Sequence, residues 1–292
     1  MMQRRELHAM GTTVELLLDA PPGDAAERAF DRACAEIERL EGRLSRFRPD
    51  SELSELNRRG RLAAGEDLLA VVALAIEARE RTGGRFDPTV HDAVVAAGYD
   101  RTFEEIPADG PEPPGEGPAC GGEVAVDAAR GEVVLGPGVR LDLGGIAKGY
   151  VVDRVAGRLG ASGPCLVNAG GDLRIAGPPR SEAWPVGVET PGEALILGLR
   201  GGAAATSGRD RRRWRRGGRE QHHLIDPARG RPARGDLRTV TVVAGEASRA
   251  EILAKALFLR GERGAREEAD RHGVPAVLVT ADGRVLLAGG LS

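Results

Sequence analysis

The sequence predicts an α+β fold with mixed, largely antiparallel sheets and flanking helices. Apolar residues recur at helical spacing over two long stretches, 24–44 and 67–81. In the second half of the chain, strand-like patterns follow one another closely, at 186–189, 194–199, 203–207, 222–225 and 237–243. Because parallel βαβ units place a helix between consecutive strands, this run of strands favours antiparallel pairing.

The remaining elements of the first half follow from local patterns. Val14, Leu16 and Leu18 recur every second residue and predict the opening strand. A capped helical turn is expected over 50–57, and alternating valines predict a hairpin over 124–135.

Two glycine turns are predicted in the middle of the chain. Gly144-Gly145 follows an expected buried strand over 139–143 and precedes a helix that ends at Gly160. Gly170-Gly171 follows a second short buried strand, which starts at Cys165. Bare glycine backbone and the free N–H groups of a helix start both suit a phosphate, and two such turns can face one pocket.

Lys148 stands in the helix after the first turn. It and Lys255 are the only lysines, although the chain is rich in arginine. A compact ammonium suits confined positions better than a guanidinium does, so we expect Lys148 to lie beside the phosphates. The alternative is an ordinary surface lysine at a helix start.

The last segment predicts two helices, over 247–260 and 262–272, and two strands, over 276–280 and 285–288. No internal repeat is evident, and we expect a single domain over 1–292.

Composition narrows the classes of partner. The net charge of −3 and the pI of about 6.1 give the 292-residue chain no electrostatic reason to bind nucleic acid. Cys34, Cys120 and Cys165 are few and scattered, which fits a reducing compartment. No apolar run is long enough to insert in a membrane, so a cytoplasmic protein is expected.

Familiar catalytic signatures are missing. The segment Gly144-Gly145-Ile146-Ala147-Lys148-Gly149 lacks the hydroxyl that a Walker loop carries after its lysine, and there is no Gly-x-Ser-x-Gly. These absences disfavour a nucleotide kinase and a serine hydrolase. Strand alternation over 222–225 would send His223 and Ile225 to one face and His222 to the other. His223 is then either a catalytic base or a hydrogen-bonded strand histidine.

Taken together, seven blocks in order along nearly the whole chain resemble the ApbE family of FAD:protein FMN transferases. They are Met10-Gly11-Thr12, Ser51-x-x-Ser54-x-x-Asn57, Phe86-Asp87-Pro88-Thr89-Val90, Asp142-Leu143-Gly144-Gly145-Ile146-Ala147-Lys148-Gly149-Tyr150-x-x-Asp153, Asn168-x-Gly170-Gly171-Asp172, Ala205-Thr206-Ser207-Gly208 and His222-His223-x-Ile225-Asp226-Pro227.

The resemblance implies an ApbE-like, T-fold-related architecture and a reaction. Members of the family cleave FAD and attach FMN through a phosphoester to a threonine of an acceptor flavoprotein with an FMN-binding domain. His223 would be the base and Lys148 would assist at the phosphates. The residues implied to contact FAD are Met10, Thr12, Phe86, Asp87, Asp142, Gly144, Gly145, Lys148, Asn168, Gly170, Gly171, Asp172, Ser207 and His223.

The sequence departs from the family at the implied magnesium site. The family typically carries Ala-Asp-x-x-x-Thr where this chain has Ala250-Glu251-Ile252-Leu253-Ala254-Lys255. Glu251 and Gly145 would remain as ligands, but a protonated lysine cannot bind magnesium. Glu251 and Lys255 share a helix face, so we expect Lys255 to occupy the position of the cation. The alternative is an ordinary surface ion pair.

A second departure is Asp210, where many relatives have a tyrosine. Two other functions stay open at this point: an FAD-binding protein without transferase activity, and an FAD pyrophosphatase that releases FMN and AMP.

Overall fold

The structure is a computed structural model and describes residues 1–113, 115–178 and 183–291. Within these ranges the α-helices are α1 (Asp24–Leu44), α2 (Glu52–Arg59), α3 (Glu66–Arg81), α4 (His91–Ala96), α5 (Ala147–Leu159), α6 (Ala247–Phe258) and α7 (Gly261–His272). The strands are β1 (Met2–Ala9), β2 (Thr12–Asp19), β3 (Arg61–Ala63), β4 (Asp109–Gly110), β5 (Val124–Asp127), β6 (Glu132–Leu135), β7 (Cys165–Ala169), β8 (Asp172–Ala176), β9 (Trp184–Val188), β10 (Leu195–Leu199), β11 (Gly202–Gly208), β12 (Arg213–Arg216), β13 (Arg219–His222), β14 (Ile225–Asp226), β15 (Arg231–Pro232), β16 (Leu237–Ala244), β17 (Ala276–Thr280) and β18 (Val285–Ala288).

The chain divides into two compact units, each built from separate segments. The first unit comprises Met1–Glu41, Ile146–Ser207 and Asp236–Ser292, and the second comprises Gly42–Gly145 and Gly208–Gly235. The single domain expected over 1–292 stays a prediction.

The first unit contains an eight-stranded sheet in the order β1-β2-β7-β8-β11-β16-β17-β18. Neighbouring strands pair antiparallel from β1 to β11 and again from β16 to β18. Helices α5 and α6 pack on one face, and the β9–β10 hairpin packs on the other through a core that includes Leu166, Ile175 and Trp184. Because side chains alternate along β8, Asp172 lies on the face covered by the helices.

The second unit carries small sheets and helices α2, α3 and α4. Its sheets have the orders β3-β6-β5, β13-β12-β4 and β14-β15. One of its cores includes Ala97, Tyr99 and Trp214, and the Trp214 indole N–H donates to the Ala97 carbonyl at 2.8 Å. The basic hairpin β12–β13 is therefore anchored by a buried tryptophan.

Most predicted elements are confirmed. Helix α1 spans the predicted residues, α3 begins one residue earlier than expected, and Ser51 caps α2 by accepting the Ser54 N–H at 3.0 Å. The hairpin over 124–135 pairs Val124 with Leu135, and β17 and β18 have the predicted bounds. The α+β class with largely antiparallel sheets is likewise confirmed.

The predicted opening strand is the second strand, and this prediction of order was wrong. Strand β1 precedes it and pairs along its whole length with β2. It forms the edge of the sheet and carries charged residues, among them Arg4, whose guanidinium lies 2.6 Å from Glu15. Charged edge strands lack the hydrophobic alternation that a sequence pattern detects.

The strand expected over 139–143 does not form. Leu141 and Leu143 are fully buried as predicted, but the segment pairs with a side chain instead of a strand. Asn57 accepts the Leu141 N–H at 2.7 Å and donates to the Leu141 carbonyl at 2.8 Å. The carbonyl oxygen and the NH2 group of its single side-chain amide therefore replace one rung of a sheet ladder.

The strand expected over 222–225 is also interrupted. The chain bends after His222, and β14 begins only at Ile225. Residues 223 and 224 lie outside any strand, so the alternation of faces predicted for one continuous strand does not apply across them. The short helix α4 was not predicted.

Candidate functional site

Four charged side chains meet in the first unit, on the sheet face that α5 and α6 cover. The Lys148 ammonium contacts the carboxylates of Asp172 and Glu251, with its Nζ 2.8 Å from Glu251 Oε1. Lys255 Nζ lies 3.1 Å from the same oxygen. The two acids are 3% and 1% exposed, whereas both lysine side chains retain 18% exposure. These four residues are called the lysine cluster below.

Each member of the lysine cluster is placed by a local feature of the chain. Lys148 lies in the first turn of α5, and Asp172 is the first residue of β8, directly after the Gly170-Gly171 turn. Glu251 and Lys255 lie one turn apart on α6. The expectation that these two share a helix face is confirmed by their contact.

Helices α5 and α6 approach closely at Gly149. A Cβ atom added there would lie 2.5 Å from Ser248 N and 2.6 Å from Ser248 Cα, so only glycine fits. The Gly149 N–H donates to Glu251 Oε2 at 3.0 Å. One of the free N–H groups expected at the start of α5 thus already has a carboxylate partner.

The pKa values in the lysine cluster follow from burial and from the neighbouring charges. Burial lowers the pKa of Lys148, but Asp172 and Glu251 outweigh it, so this pKa stands above its ordinary value. Burial raises the pKa of Glu251, but Lys148 and Lys255 together bring it down to about 2. Burial outweighs the Lys148 ammonium at Asp172, so the pKa of that carboxyl is raised. Lys148 and Glu251 therefore form an ion pair at neutral pH.

Two tight turns lie side by side at the end of the sheet where Asp172 stands. Met10-Gly11 joins β1 to β2, and Gly170-Gly171 joins β7 to β8. The Gly170 N–H donates to the Thr13 carbonyl at 3.2 Å, and a Cβ on Gly170 would lie 2.5 Å from Thr12 Oγ1. The predicted residues on these turns are therefore neighbours in space.

The turn residues have specific conformational roles. Met10 has a φ of 55°, in the left-handed region that ordinary residues avoid, and its N–H donates to Glu41 at 2.9 Å. Asn168 accepts the Gly171 N–H at 2.9 Å and so fixes the second turn.

Ser207 lies near the end of β11, at the same end of the sheet as Asp172. Strand β11 runs antiparallel to β8 and continues past the level of Asp172. Its side chain is buried, and among the described residues its hydroxyl has no hydrogen-bond partner. A buried hydroxyl without a partner is costly unless a ligand satisfies it.

In the second unit, Asp142 holds the Gly144 turn. Its Oδ1 accepts the Gly144 N–H at 2.6 Å, and its Oδ2 lies 2.9 Å from Arg46 Nε. The Arg46 guanidinium itself lies 4.0 Å from the centre of the Phe47 ring and 4.7 Å from that of Tyr99. Asp142 is thus buried and partnered inside the protein, and its predicted contact with FAD stays a prediction.

Asp87 is similarly engaged. Its Oδ1 accepts the N–H of Thr89 at 2.8 Å and the Thr89 hydroxyl at 2.7 Å, and its Oδ2 lies 3.4 Å from Arg79. The neighbouring Phe86 is buried. The extended backbone expected before Pro88 therefore ends in a turn that this carboxylate stabilises.

The two adjacent histidines have different surroundings. His222 is buried, and its Nε2 lies 2.9 Å from the Ala233 carbonyl. Burial lowers the pKa of His222, and the Arg209 charge adds to this effect. His223 is half-buried and lies in the bend between β13 and β14. His222 is therefore structural, and His223 is the more accessible imidazole.

The donors around Glu251 do not fit a resident magnesium ion. Glu251 Oε1 accepts from two ammonium groups and Oε2 accepts from a backbone N–H. Magnesium takes oxygen ligands, and a protonated lysine offers none. Over the residues that the structure describes, no group of three His, Cys, Asp or Glu side chains could hold a metal ion.

The predicted site residues fall in both units. Those in the first unit collect around the lysine cluster and the two turns: Met10, Thr12, Lys148, Asn168, Gly170, Gly171, Asp172 and Ser207. Phe86, Asp87, Asp142, Gly144, Gly145 and His223 belong to the second unit. That all of them serve one FAD molecule stays a prediction.

Sequence reasoning missed three supporting residues. No sequence pattern singled out Arg46, yet its guanidinium holds Asp142. The role of Asp153 was also missed: its carboxylate accepts the N–H groups of Ala247 and Ser248 at 2.7 and 2.9 Å and so caps α6. Asn57 and Asp153 each stood in one of the seven blocks, which was the available signal for their importance.

Comparison with known proteins gives a consistent result. The sequence model of the ApbE family matches residues 10–278. FAD:protein FMN transferases from Haemophilus influenzae and Treponema pallidum are each 30% identical over 92% of this chain, which corresponds to 84% and 82% of their own lengths.

Solved structures are similar over almost the whole chain. The ApbE protein from Thermotoga maritima has 26% identity and a TM-score of 0.84, and the match covers 99% of this chain and 97% of that one. The flavin transferase ApbE from Vibrio cholerae has 26% identity and a TM-score of 0.80, with 99% and 98% covered.

Proposed function

This chain belongs to the ApbE family, and we infer from that premise that it is an FAD:protein FMN transferase. It takes FAD as its substrate and modifies an acceptor protein. The acceptor residue is a threonine in an FMN-binding domain, and the product is a phosphoester. These last details rest on the resemblance of the seven sequence blocks.

The lysine cluster is the observation in the structure that carries the proposal. At the start of α5, Lys148 contacts Asp172 directly after the Gly170-Gly171 turn, and Lys255 shares its partner Glu251, all within the first unit. Backbone N–H groups and compact cations are the usual partners of a diphosphate. Ser207 adds a buried hydroxyl that a bound ligand can satisfy. The proposed role of these groups is to hold the diphosphate of FAD.

The reaction is one phosphoryl substitution. The threonine oxygen attacks the phosphorus on the FMN side of the diphosphate, a new O–P bond forms, and the bond from that phosphorus to the bridging oxygen breaks. AMP leaves with the electron pair of that bond, and the hydroxyl proton passes to His223. FAD and the threonine protein thus become the FMN–protein ester, AMP and one proton.

Each side chain has a task that the chemistry requires. A threonine hydroxyl is a weak nucleophile at neutral pH, so a base is needed, and His223 is half-buried and outside the strand ladder. Negative charge grows on the phosphate oxygens and on AMP, and Lys148 stays protonated because its pKa is raised. No step is assigned to a metal ion.

We also propose that the protein acts in the cytoplasm, as the scattered free cysteines favour. In the described part of the chain, none of the helices combines the length and the apolar character required to cross a bilayer.

The direct test mixes the protein with FAD and a candidate FMN-binding domain, then measures the mass of that domain. We expect an added FMN and release of AMP. The variant His223→Ala should retain FAD binding and lose at least 100-fold in transfer rate, as the removal of a general base does. His272→Ala, at an exposed position on α7, is the control.

Two outcomes would replace the proposal. AMP and FMN released at equal rates with and without acceptor would indicate a pyrophosphatase. FAD binding without AMP release under any condition would indicate a binding protein.

A further inference from the structure

We propose that Lys255 takes the place of a divalent cation, so that this chain binds the diphosphate of FAD with two ammonium groups and needs no metal. The inference rests on the proposed function and concerns how that same site carries positive charge.

Glu251 is already fully engaged by groups of this chain. This carboxylate is 1% exposed, and Lys148, Lys255 and the Gly149 N–H account for both of its oxygens. A metal ion bound there would have to displace an ammonium that is held in a buried ion pair. Removing one partner from such a pair leaves an uncompensated buried charge, which is strongly unfavourable.

The residue one turn beyond Glu251 on α6 is a lysine. Lys255 stands where the family resemblance implies a threonine ligand, and its Nζ is 3.1 Å from Glu251. The contact fixes the ammonium at the end of a long, flexible side chain. An unattached surface lysine would not be held in this way.

The ammonium groups of Lys148 and Lys255 both keep unused hydrogen-bond donors. Each ammonium has three N–H donors. Lys148 uses two of them, on Asp172 and Glu251, and Lys255 uses one. Among the described residues, one donor on Lys148 and two on Lys255 therefore have no partner, and both side chains keep 18% exposure. These three donors can bind phosphate oxygens directly.

Replacing a divalent cation with Lys255 reduces the positive charge of the site. A lysine carries one positive charge and a divalent cation carries two. The site therefore supplies less charge than a magnesium site would, and any rate advantage must come from fixed geometry. Lys255 is accordingly a phosphate-binding residue whose positive charge is covalently attached to the chain, whereas a metal ion can dissociate.

The main experiment uses the wild-type protein. FMN transfer is measured after removal of metals with EDTA and again with added magnesium, and binding of Mn²⁺ alone is followed by the loss of the free Mn²⁺ signal in electron paramagnetic resonance. We expect transfer rates that differ by less than twofold and no bound Mn²⁺. A rate that falls more than tenfold in EDTA, or one bound Mn²⁺ per chain, would overturn the inference.

Two variants test whether the positive charge of Lys255 replaces a metal ion at this site. Lys255→Met removes the charge without adding an oxygen, so transfer should fall at least 100-fold, and magnesium should not restore it. The double variant Glu251→Asp with Lys255→Thr supplies two oxygen ligands, so it should bind Mn²⁺ and require magnesium for transfer. Restoration of Lys255→Met by magnesium would contradict the inference.

The two proposals fail in different ways. If the wild type transfers no FMN under any condition, the proposed function is wrong, and Mn²⁺ binding by the wild type and the double variant still decides the present inference. If the wild type transfers FMN only with magnesium, the function stands and the inference is wrong.

Discussion

Met10 is an ordinary residue in a backbone conformation that favours glycine or asparagine. It forms the first position of the two-residue turn between β1 and β2, with a φ of 55° followed by 62° at Gly11. Hairpin turns of this type prefer Asn-Gly. A strained residue retained beside two other predicted FAD-binding residues suggests that its side chain serves the ligand.

We expect Met10→Asn to stabilise the protein by about 0.5–1 kcal/mol, because the left-handed region costs ordinary side chains about 1–2 kcal/mol. The same change should weaken FAD binding if Met10 contacts FAD. Urea denaturation and a fluorescence titration with FAD measure the two effects. Met2→Asn, in the exposed start of β1, serves as the control, and unchanged FAD affinity in Met10→Asn would remove Met10 from the site.

His222 makes stability depend on pH. Burial, aided by the Arg209 charge, lowers its pKa in the folded state, so the unfolded chain binds a proton more readily. The contribution of His222 to the free energy of unfolding is therefore fully present above the ordinary histidine pKa of about 6.5. It declines as the pH falls below that value and is lost once the pH is below the pKa of His222 in the folded state.

His222→Gln should flatten the change in free energy of unfolding between pH 7 and pH 5. The wild-type slope from one such group is at most about 1.4 kcal/mol per pH unit. Denaturation curves at several pH values provide the test, with exposed His272→Gln as the control. An identical slope in wild type and His222→Gln would contradict the assignment.

At the scale of elements, the crossing of α5 and α6 decides the geometry of the lysine cluster. The helices touch at Gly149, where the backbone of Ser248 leaves no room for a side chain. Asp153 caps α6 beside this crossing. The distance between Lys148 and Glu251 therefore depends on Gly149 and Asp153, neither of which has a proposed role in the reaction.

Gly149→Ala should destabilise the protein by about 1–3 kcal/mol, because the added methyl group meets backbone rather than a flexible side chain. Transfer should fall as well, since separating the helices moves Glu251 away from Lys148. Gly157→Ala is a matched control on the same helix, where an added Cβ meets nothing within 4 Å.

The control should stabilise the protein by about 0.5–1 kcal/mol, the usual effect of removing a glycine from a helix interior. Thermal unfolding of both variants distinguishes the two positions. Equal effects of Gly149→Ala and Gly157→Ala would show that the helix crossing is not tight.

At the scale of the whole molecule, a net charge of −3 gives no general attraction to the anionic FAD, so binding depends on local cations. Because a ligand that binds only the folded state stabilises it, FAD should raise the free energy of unfolding by about 2.7 kcal/mol at a concentration 100-fold above its Kd. FMN and AMP lack the diphosphate and should stabilise it less.

Scanning calorimetry with each nucleotide measures this difference. NAD is the informative control, because it has a diphosphate but no flavin. Equal stabilisation by FAD and FMN would mean that the diphosphate contributes nothing, and the proposed role of the lysine cluster in binding would be wrong.

Local patterns in the sequence determined much of this protein. The spacing of apolar residues set α1, α3 and the final strands, glycine pairs set the turn before Asp172, and the four-residue interval set the contact between Glu251 and Lys255. These features depend on residues close together in the chain, where period and turn chemistry act directly.

Only the tertiary structure decided which distant groups meet. Lys148 forms ion pairs with Asp172 and Glu251, which are 24 and 103 residues away along the chain. Asn57 hydrogen-bonds to the backbone of Leu141, which is 84 residues away. That last contact removed a strand that the hydrophobic pattern predicted. The physical reason is that a hydrogen bond or an ion pair forms wherever packing brings its partners within about 3 Å, whatever their separation along the chain.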